Sequence, residues 1–432
     1  MKRYAWVAVV LMVGAVGCGD DQPTYFKDVK ALAEMKCQAC HVPGGIAPFK
    51  LTEYEDFQAN APKIRNAVST RLMPPWLASK GCTDYYGDRS LSDAQISMLT
   101  SWIDHGLAKG DPGDYAKPEV RQTGLTRVDN TLMMPVNYTP KISPDEYRCF
   151  IIDWPYQTDK FVTGFNTKPG NPAIVHHVIA FLADPSQAQT FIDLDNADPD
   201  PGYTCFGGPG GQNAFTGMIG AWAPGSQGGD FPATTGIKVV PGSKIILQVH
   251  YNTLNSSPVP DMTGVEIKVD DTVAKPAMLM FWTNPDWVIN HTMSIPAGQA
   301  DVSYSFSTDP TPFLSRYPNS PFTGGKPLTI YSAALHQHLR GTRSHLQINH
   351  WSGQQECLLD IQKWNFHWQM AYGFSQPKTF KPGDELSIEC HWDNSQANQP
   401  WVGDMQLPPQ DLNWGEGSTD EMCLGALYVT EQ

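Results

Sequence analysis

Ser332-Ala333-Ala334-Leu335-His336-Gln337-His338-Leu339-Arg340-Gly341 reads as a strand that runs to a glycine. Side chains alternate faces along a strand, so His336 and His338 project to the same side, two residues apart. Two imidazoles on one rigid face make a preformed half-site for a borderline metal such as copper or zinc. A His-x-His pair is a weak signal by itself. It gains weight from His176-His177, His250 and a late Met422.

Around that stretch the chain reads as β for most of its length. At 432 residues it is too long for one core. The 37 Gly and 36 Pro separate short apolar runs rich in Thr, Val, Trp and Tyr. Thirty Lys+Arg against 44 Asp+Glu give a net charge of −14, which argues against nucleic acid and anionic lipid surfaces as partners. Residues 244–252 predict a strand with Ile246, Gln248 and His250 on one face and Ile245, Leu247 and Val249 on the other. A break near 270–276 divides the β region into two sandwiches, 131–272 and 273–432.

The N-terminus reads differently. Lys2 and Arg3 precede an apolar run from Tyr4 to Val16, and Ala15-Val16-Gly17-Cys18 resembles a bacterial lipobox. Residues 1–18 are therefore expected to be a lipoprotein signal, with Cys18 lipidated on the periplasmic or outer face of a membrane. An ordinary cleaved signal is the alternative. Either address permits disulfides.

From Tyr25, apolar residues at helical spacing (Phe26, Val29, Leu32, Ala33) lead into Cys37-Gln38-Ala39-Cys40-His41. C-x-x-C-H is the attachment signature of c-type haem, with two thioethers and His41 as iron ligand. A thioredoxin-like redox pair and a zinc site are the competing readings. The following histidine and the exported address favour haem. Met73, in Arg71-Leu72-Met73-Pro74-Pro75-Trp76, is a candidate second axial ligand; a packing methionine is the alternative. Ser92 and Gln95 have capping-box spacing ahead of the stripe Ile96, Leu99, Trp102 and Ile103, and Gly106 and Gly110 end that helix. Residues 25–115 thus resemble the small all-α c-type cytochrome domains, and 116–130 read as a linker.

Four motifs stand in order: Val175-His176-His177-Val178, Leu247-Gln248-Val249-His250-Tyr251, Leu335-His336-Gln337-His338-Leu339 and Asp420-Glu421-Met422-Cys423. In order and approximate spacing they resemble the copper type II, ascorbate-dependent monooxygenases, which include peptidylglycine alpha-hydroxylating and dopamine beta-monooxygenases. The resemblance covers about 130–432. It implies two tandem jelly-roll β-sandwiches, each with one copper. His176, His177 and His250 would hold the electron-transfer copper, and His336, His338 and Met422 the catalytic, oxygen-activating one. Imidazoles suit either copper oxidation state, whereas a thioether favours Cu(I). Adjacent His176 and His177 would face opposite ways on a regular strand, so a strand end or bulge must turn both onto one metal. The resemblance also implies disulfides Cys149–Cys205 and Cys390–Cys423, leaving Cys82 and Cys357.

Departures bear on substrate. The peptide-processing relative has an arginine two residues before its His-x-His, and an Asn and a Tyr just after its Met-Cys, which grip a carboxylate. Ala334, Leu424 and Ala426 stand here instead, which suggests a more apolar pocket. His291, His345, His350, His367 and His391 match no ligand position. The chain is expected to be an exported copper monooxygenase that hydroxylates a C–H bond of a small organic molecule with O2. Electrons would come from ascorbate or a periplasmic donor, with the fused haem as a candidate relay. A non-catalytic haem and copper electron-transfer or carrier protein is the alternative.

Overall fold

The computed structural model describes residues 22–432 except 44, 46, 120–123, 206–207, 211–216, 224–225, 227, 254–255, 318–319, 403–404 and 416. The signal segment and Cys18 lie outside the described residues. The chain divides into two compact units, residues 1–74 with 91–120, and residues 75–90 with 121–432.

Every regular element described in the first unit is helical. A π-turn, Tyr25–Val29, is capped by Thr24, whose hydroxyl accepts from Lys27 N. It runs into the α-helix Lys30–Lys36, and the helices Tyr54–Ser69 and Asp93–Asp104 follow. Phe57, Ala61, Ile64 and Val68 form the buried stripe of the second, at three- and four-residue steps. The third starts at the expected capping box of Ser92 and Gln95. Their common core holds Tyr25, Leu32, Phe57, Leu99 and Trp102, with Tyr25 and Trp102 stacked 6.3 Å apart.

Sequence periodicity suggested one uninterrupted domain over 25–115, but the structure assigns 75–90 to the β unit. Ala78 bridges Ile361, Tyr85 bridges Phe374, and the Tyr85 hydroxyl donates to Leu358 O at 2.9 Å. Trp76 and Tyr85 pack on Tyr372 with centroids 5.0 and 5.5 Å away. A disulfide, Cys82–Cys357, fixes the excursion. Bulky aromatics without helical spacing find their partners on a sheet, which is why this stretch leaves the helices.

The β unit is two sandwiches that share a sheet. A five-stranded sheet is ordered Tyr203–Thr204, Asp145–Asp153, Lys244–Asn252, Val175–Ala183, Gly217–Trp222. The nine-stranded sheet begins in the first sandwich with Asn130–Met133, Gly264–Asp270, Lys160–Lys168 and Thr235–Val239. It continues into the second with Lys275–Trp282, Leu424–Glu431, Leu328–His336 and Tyr372–Phe380, and the ninth strand, Gly229–Asp230, pairs with Lys160–Lys168 off this path. Lys275–Trp282 joins the halves, pairing parallel with Thr235–Val239 and antiparallel with Leu424–Glu431. A four-stranded sheet, Val302–Thr308, Glu385–Trp392, Gly341–Asn349 and Gln355–Ile361, covers the second core. Alternation is clean there: Leu346 and Ile348 are fully buried, while His345, Gln347 and Asn349 face outward half-exposed. Val175–Ala183 is covered on both faces, which explains its near-continuous apolar run. Val178, Ala180 and Leu182 enter the main core; Phe181 packs with Phe191 of the helix Ala188–Ala197. The β reading of the sequence missed that helix.

Candidate metal centre

The first cluster is built by a defect in a ladder. Val175 pairs with Tyr251, yet His177, not His176, pairs with His250, so the register shifts by one residue. The bulge turns adjacent histidines to one side, as the tandem motif required. Donor atoms of His176, His177 and His250 lie within 4.8 Å of one another, and no other group of three or more His, Cys, Asp or Glu meets that standard among the described residues. The ring of Tyr147 stacks on His250 at 4.1 Å and 6°. His250 Nε2 donates to Asp145 Oδ1 at 2.8 Å, which leaves Nδ1 as the lone-pair atom, 3.2 Å from His177 Nδ1. His176 is 9% exposed and neither of its ring nitrogens has a hydrogen-bond partner. Buried polar atoms without partners are costly, and a bound cation would satisfy them. Burial holds all three imidazoles below their ordinary pKa, hence neutral, the form that ligates. For Asp145 burial works the other way, but hydrogen bonds from His250, Ser418 and Asn252 outweigh it and hold the carboxyl at about 2.

The second cluster sits where the strand Leu328–His336 ends. Gln337 turns inward and donates to His391 O, while His336 and His338 stand with ring centroids 4.9 Å apart at 86°. Gln369 spends its amide N–H on Phe366 O, so its Oε1 remains to accept from His336 Nδ1 at 2.5 Å. His338 Nδ1 donates to Asp420 O at 3.2 Å. In both rings Nε2 is therefore the lone-pair nitrogen. Burial lowers both, His336 to about 4.

One segment, Asp420–Cys423, organises this cluster. Asp420 orients His338; Met422 is 6% exposed; Cys423 is tied to Cys390. The fully buried carboxylate of Glu421 accepts from His338 N, Arg340 N and Trp392 Nε1 at 2.9, 2.6 and 2.8 Å. Burial raises its pKa to about 7. The Cys149–Cys205 bridge in the first sandwich completes the expected pair of disulfides.

The two clusters meet across the sandwich boundary. Phe366 stacks on His176 at 4.5 Å and stands edge-on to His338 at 6.1 Å. Ser226 Oγ donates to Gln369 O at 3.3 Å, and Ser418 Oγ donates to Asp145 Oδ2. Beside His336 the surface is apolar. Phe281, Ala426 and Ala334 are cross-strand neighbours, and Leu424 pairs with His336.

Sequence reasoning missed Asp145, Phe366, Gln369, Ser418 and Glu421; only Glu421, adjacent to Met422, had a local signal. His345, His350 and His391 are engaged by carboxylates and join neither cluster. His367 is exposed but near enough to contribute to lowering His176.

In the helical unit, a single turn brings Cys40 N and His41 N onto Cys37 O at 3.2 and 3.0 Å. Cys37 and Cys40 stay outside the three disulfides. His41 Nδ1 donates to Phe49 O at 2.8 Å, again leaving Nε2 as the lone-pair atom. Met73 follows the helix Tyr54–Ser69, its N–H on Ala67 O at 3.0 Å.

Comparison with known proteins follows the same division. The copper type II ascorbate-dependent monooxygenase N-terminal domain matches residues 131–258, and the C-terminal domain of that family matches 288–430. DBH-like monooxygenase protein 2 of Mus musculus is 26% identical over 261 residues, 59% of this chain and 38% of the relative. DBH-like monooxygenase protein 1 of Gallus gallus is 23% identical over 372 residues, 79% of this chain and 55% of the relative. The chain thus spans about half the length of such relatives. Among solved structures, that of infectious bursal disease virus Gx strain aligns over 70% of this chain and 72% of its own at 8% identity, with a TM-score of 0.18 that carries no argument.

Proposed function

We propose, for a chain that residues 131–258 and 288–430 make a member of the copper type II ascorbate-dependent monooxygenase family, that it hydroxylates a C–H bond of a small apolar organic substrate. The overall change takes substrate C–H, O2, two electrons and two protons to C–OH and water. The observation that carries this reading is the bulge that gathers His176, His177 and His250, with both nitrogens of His176 buried and without partners.

The donor sets fit copper. Three neutral imidazoles would hold one ion, and His336 Nε2, His338 Nε2 and the Met422 thioether the other. Bound copper would supply one-electron transfer at the first position and oxygen activation at the second. The protein's own part is orientation and exclusion of water. Gln369 and Asp420 fix the His336 and His338 tautomers, and Glu421 pins the backbone between them and Met422. Phe281, Ala334, Leu424 and Ala426 would bind an apolar substrate beside His336, and none of them offers a carboxylate anchor. Ascorbate is the family's reductant. Three disulfides agree with an oxidising compartment, and a lipid anchor on Cys18 belongs to the same reading.

The helical unit is read as a c-type cytochrome, with haem on Cys37 and Cys40, His41 as ligand and Met73 as candidate second ligand. The His41–Phe49 hydrogen bond supports it, because it leaves Nε2 available to iron. Haem in the same polypeptide could relay electrons from a periplasmic donor, since tethering reaches effective concentrations of roughly millimolar. Haem retained covalently after Cys37→Ala/Cys40→Ala ends that part.

The test of the activity is 18O2 with copper-loaded, ascorbate-reduced protein and a panel of apolar metabolites. One labelled oxygen atom should enter the product, and His336→Ala should abolish it. Two coppers bound with no oxygen consumed on any substrate would favour the carrier reading instead.

A further inference from the structure

We propose that Asp145 and Ser418 are positioning residues that join the two copper centres into one assembly, an inference that rests on the two-copper reading above. Asp145 is only 12% exposed and serves three donors. Its Oδ1 accepts from His250 Nε2 and Asn252 Nδ2, both at 2.8 Å, and its Oδ2 accepts from Ser418 Oγ. His250 belongs to the first cluster. Ser418 belongs to the second sandwich, is 3% exposed, and stands two residues before Asp420 and four before Met422.

Each arm has a definite consequence. The arm to His250 fixes which ring nitrogen faces His177 and His176, because a proton held on Nε2 leaves the lone pair on Nδ1. The arm to Ser418 adds an anchor at the start of the segment in which Asp420 O accepts from His338 Nδ1 and Met422 would supply sulfur. The other end of that segment is held by Cys423–Cys390. Arg340 on Thr419 O and the three donors on Glu421 hold the segment within the second sandwich, and Ser418 is its tie to the first. One carboxylate thus sets the direction of a ligand in the first site and the placement of the soft ligand in the second. His250, once held by copper at the first site, would keep Asp145 in place for Ser418 and so favour the arrangement Met422 would need at the second.

Copper binding separates this role from a merely structural one. Ser418→Ala removes the second arm and leaves the first. Its Cu(I) affinity at the Met422 site, by chelator competition, should fall about tenfold or more, with weaker Cu–S scattering in X-ray absorption. The Cu(II) paramagnetic resonance spectrum of the three-histidine site should stay as in wild type. Ser418→Thr keeps the hydroxyl and should restore the Cu–S signal. Asp145→Asn offers one acceptor oxygen for three donors and should disturb both sites. Wild-type protein that holds copper at only one site overturns the two-copper reading and the proposal with it. Ser418→Ala matching wild type in affinity and Cu–S scattering, in protein that holds two coppers, overturns the proposal alone.

Discussion

Phe366 lies flat on His176, with 4.5 Å between ring centroids and 17° between planes. The phenyl comes from the second sandwich and the imidazole from the first. The same phenyl stands edge-on to His338, at 6.1 Å and 87°. One aromatic ring therefore touches a histidine of each cluster and occupies space that water would otherwise fill. Its loop is fixed by Trp364, whose indole donates to His338 O at 3.0 Å, and by Gln369 on His336.

Removing that ring should have two separable effects. Phe366→Ala deletes a buried aromatic and should cost about 3 kcal/mol in thermal or denaturant unfolding. It also admits water between the clusters, so more reductant and O2 should be consumed per hydroxylated product. Phe366→Leu should recover most of the stability and less of the coupling. An unchanged ratio of product to oxygen in both variants would show that the ring is packing alone.

His176 leads to a less intuitive expectation. Its two unpartnered buried nitrogens burden the metal-free protein by roughly 1–3 kcal/mol. His176→Leu keeps an apolar surface for Phe366 and removes that burden, so the copper-free variant should melt no lower than copper-free wild type. Each copper site should add about 2.7 kcal/mol at a hundredfold excess of free copper over its own dissociation constant, and the variant should lose the first site's contribution. Calorimetry with and without copper checks both. A variant that melts far below wild type in the absence of copper contradicts the argument.

How much of this could be read in the sequence follows from how local each feature is. Alternation along a strand places His336 beside His338, and the His-His tandem demands a bulge; both are properties of a few neighbouring residues, and the structure has them. Asp145, Gln369 and Phe366 are 105, 33 and 190 residues from the histidines they touch, and nothing in their own neighbourhoods marks them. The excursion of 75–90 was invisible for the same reason. Its partners, Cys357, Ile361 and Tyr372, lie almost three hundred residues on and are reached only when the second sandwich has formed. Sharing of one sheet by both sandwiches also depends on pairings no single segment announces.

Acid should act on the first sandwich through Arg148 and Asp198. The guanidinium is 4% exposed and donates to both Asp198 oxygens, at 3.0 and 2.8 Å. That pairing lowers Asp198 from its usual 3.8 to about 2. A depressed carboxyl contributes stability that is fully present above pH 3.8 and is lost as pH falls through 2, roughly 2 kcal/mol in all. Arg148→Ala should destabilise by about 3–5 kcal/mol at neutral pH, because Asp198 keeps its burial without its partner, and should flatten the unfolding curve between pH 4 and 2. Equal acid sensitivity in wild type and variant would place the acid response elsewhere.

Met422→His tests the soft ligand while sparing its scaffold. Met422 is 6% exposed and lies between Glu421, held by three donors, and Cys423, held by a disulfide. An imidazole fits near that volume, so the segment should keep its course and the variant should fold with little loss of stability. Three imidazoles at the second site would still bind copper, and total copper should remain at two per chain. What changes is the preference between oxidation states: replacing a thioether with a harder nitrogen favours Cu(II) over Cu(I). Sulfur scattering should vanish from the X-ray absorption of the reduced protein, the reduction potential of the second site should fall, and hydroxylation should drop at least about tenfold. The paramagnetic resonance spectrum of the three-histidine copper should be unaltered. Retention of sulfur scattering in Met422→His would mean that another side chain supplies the soft ligand.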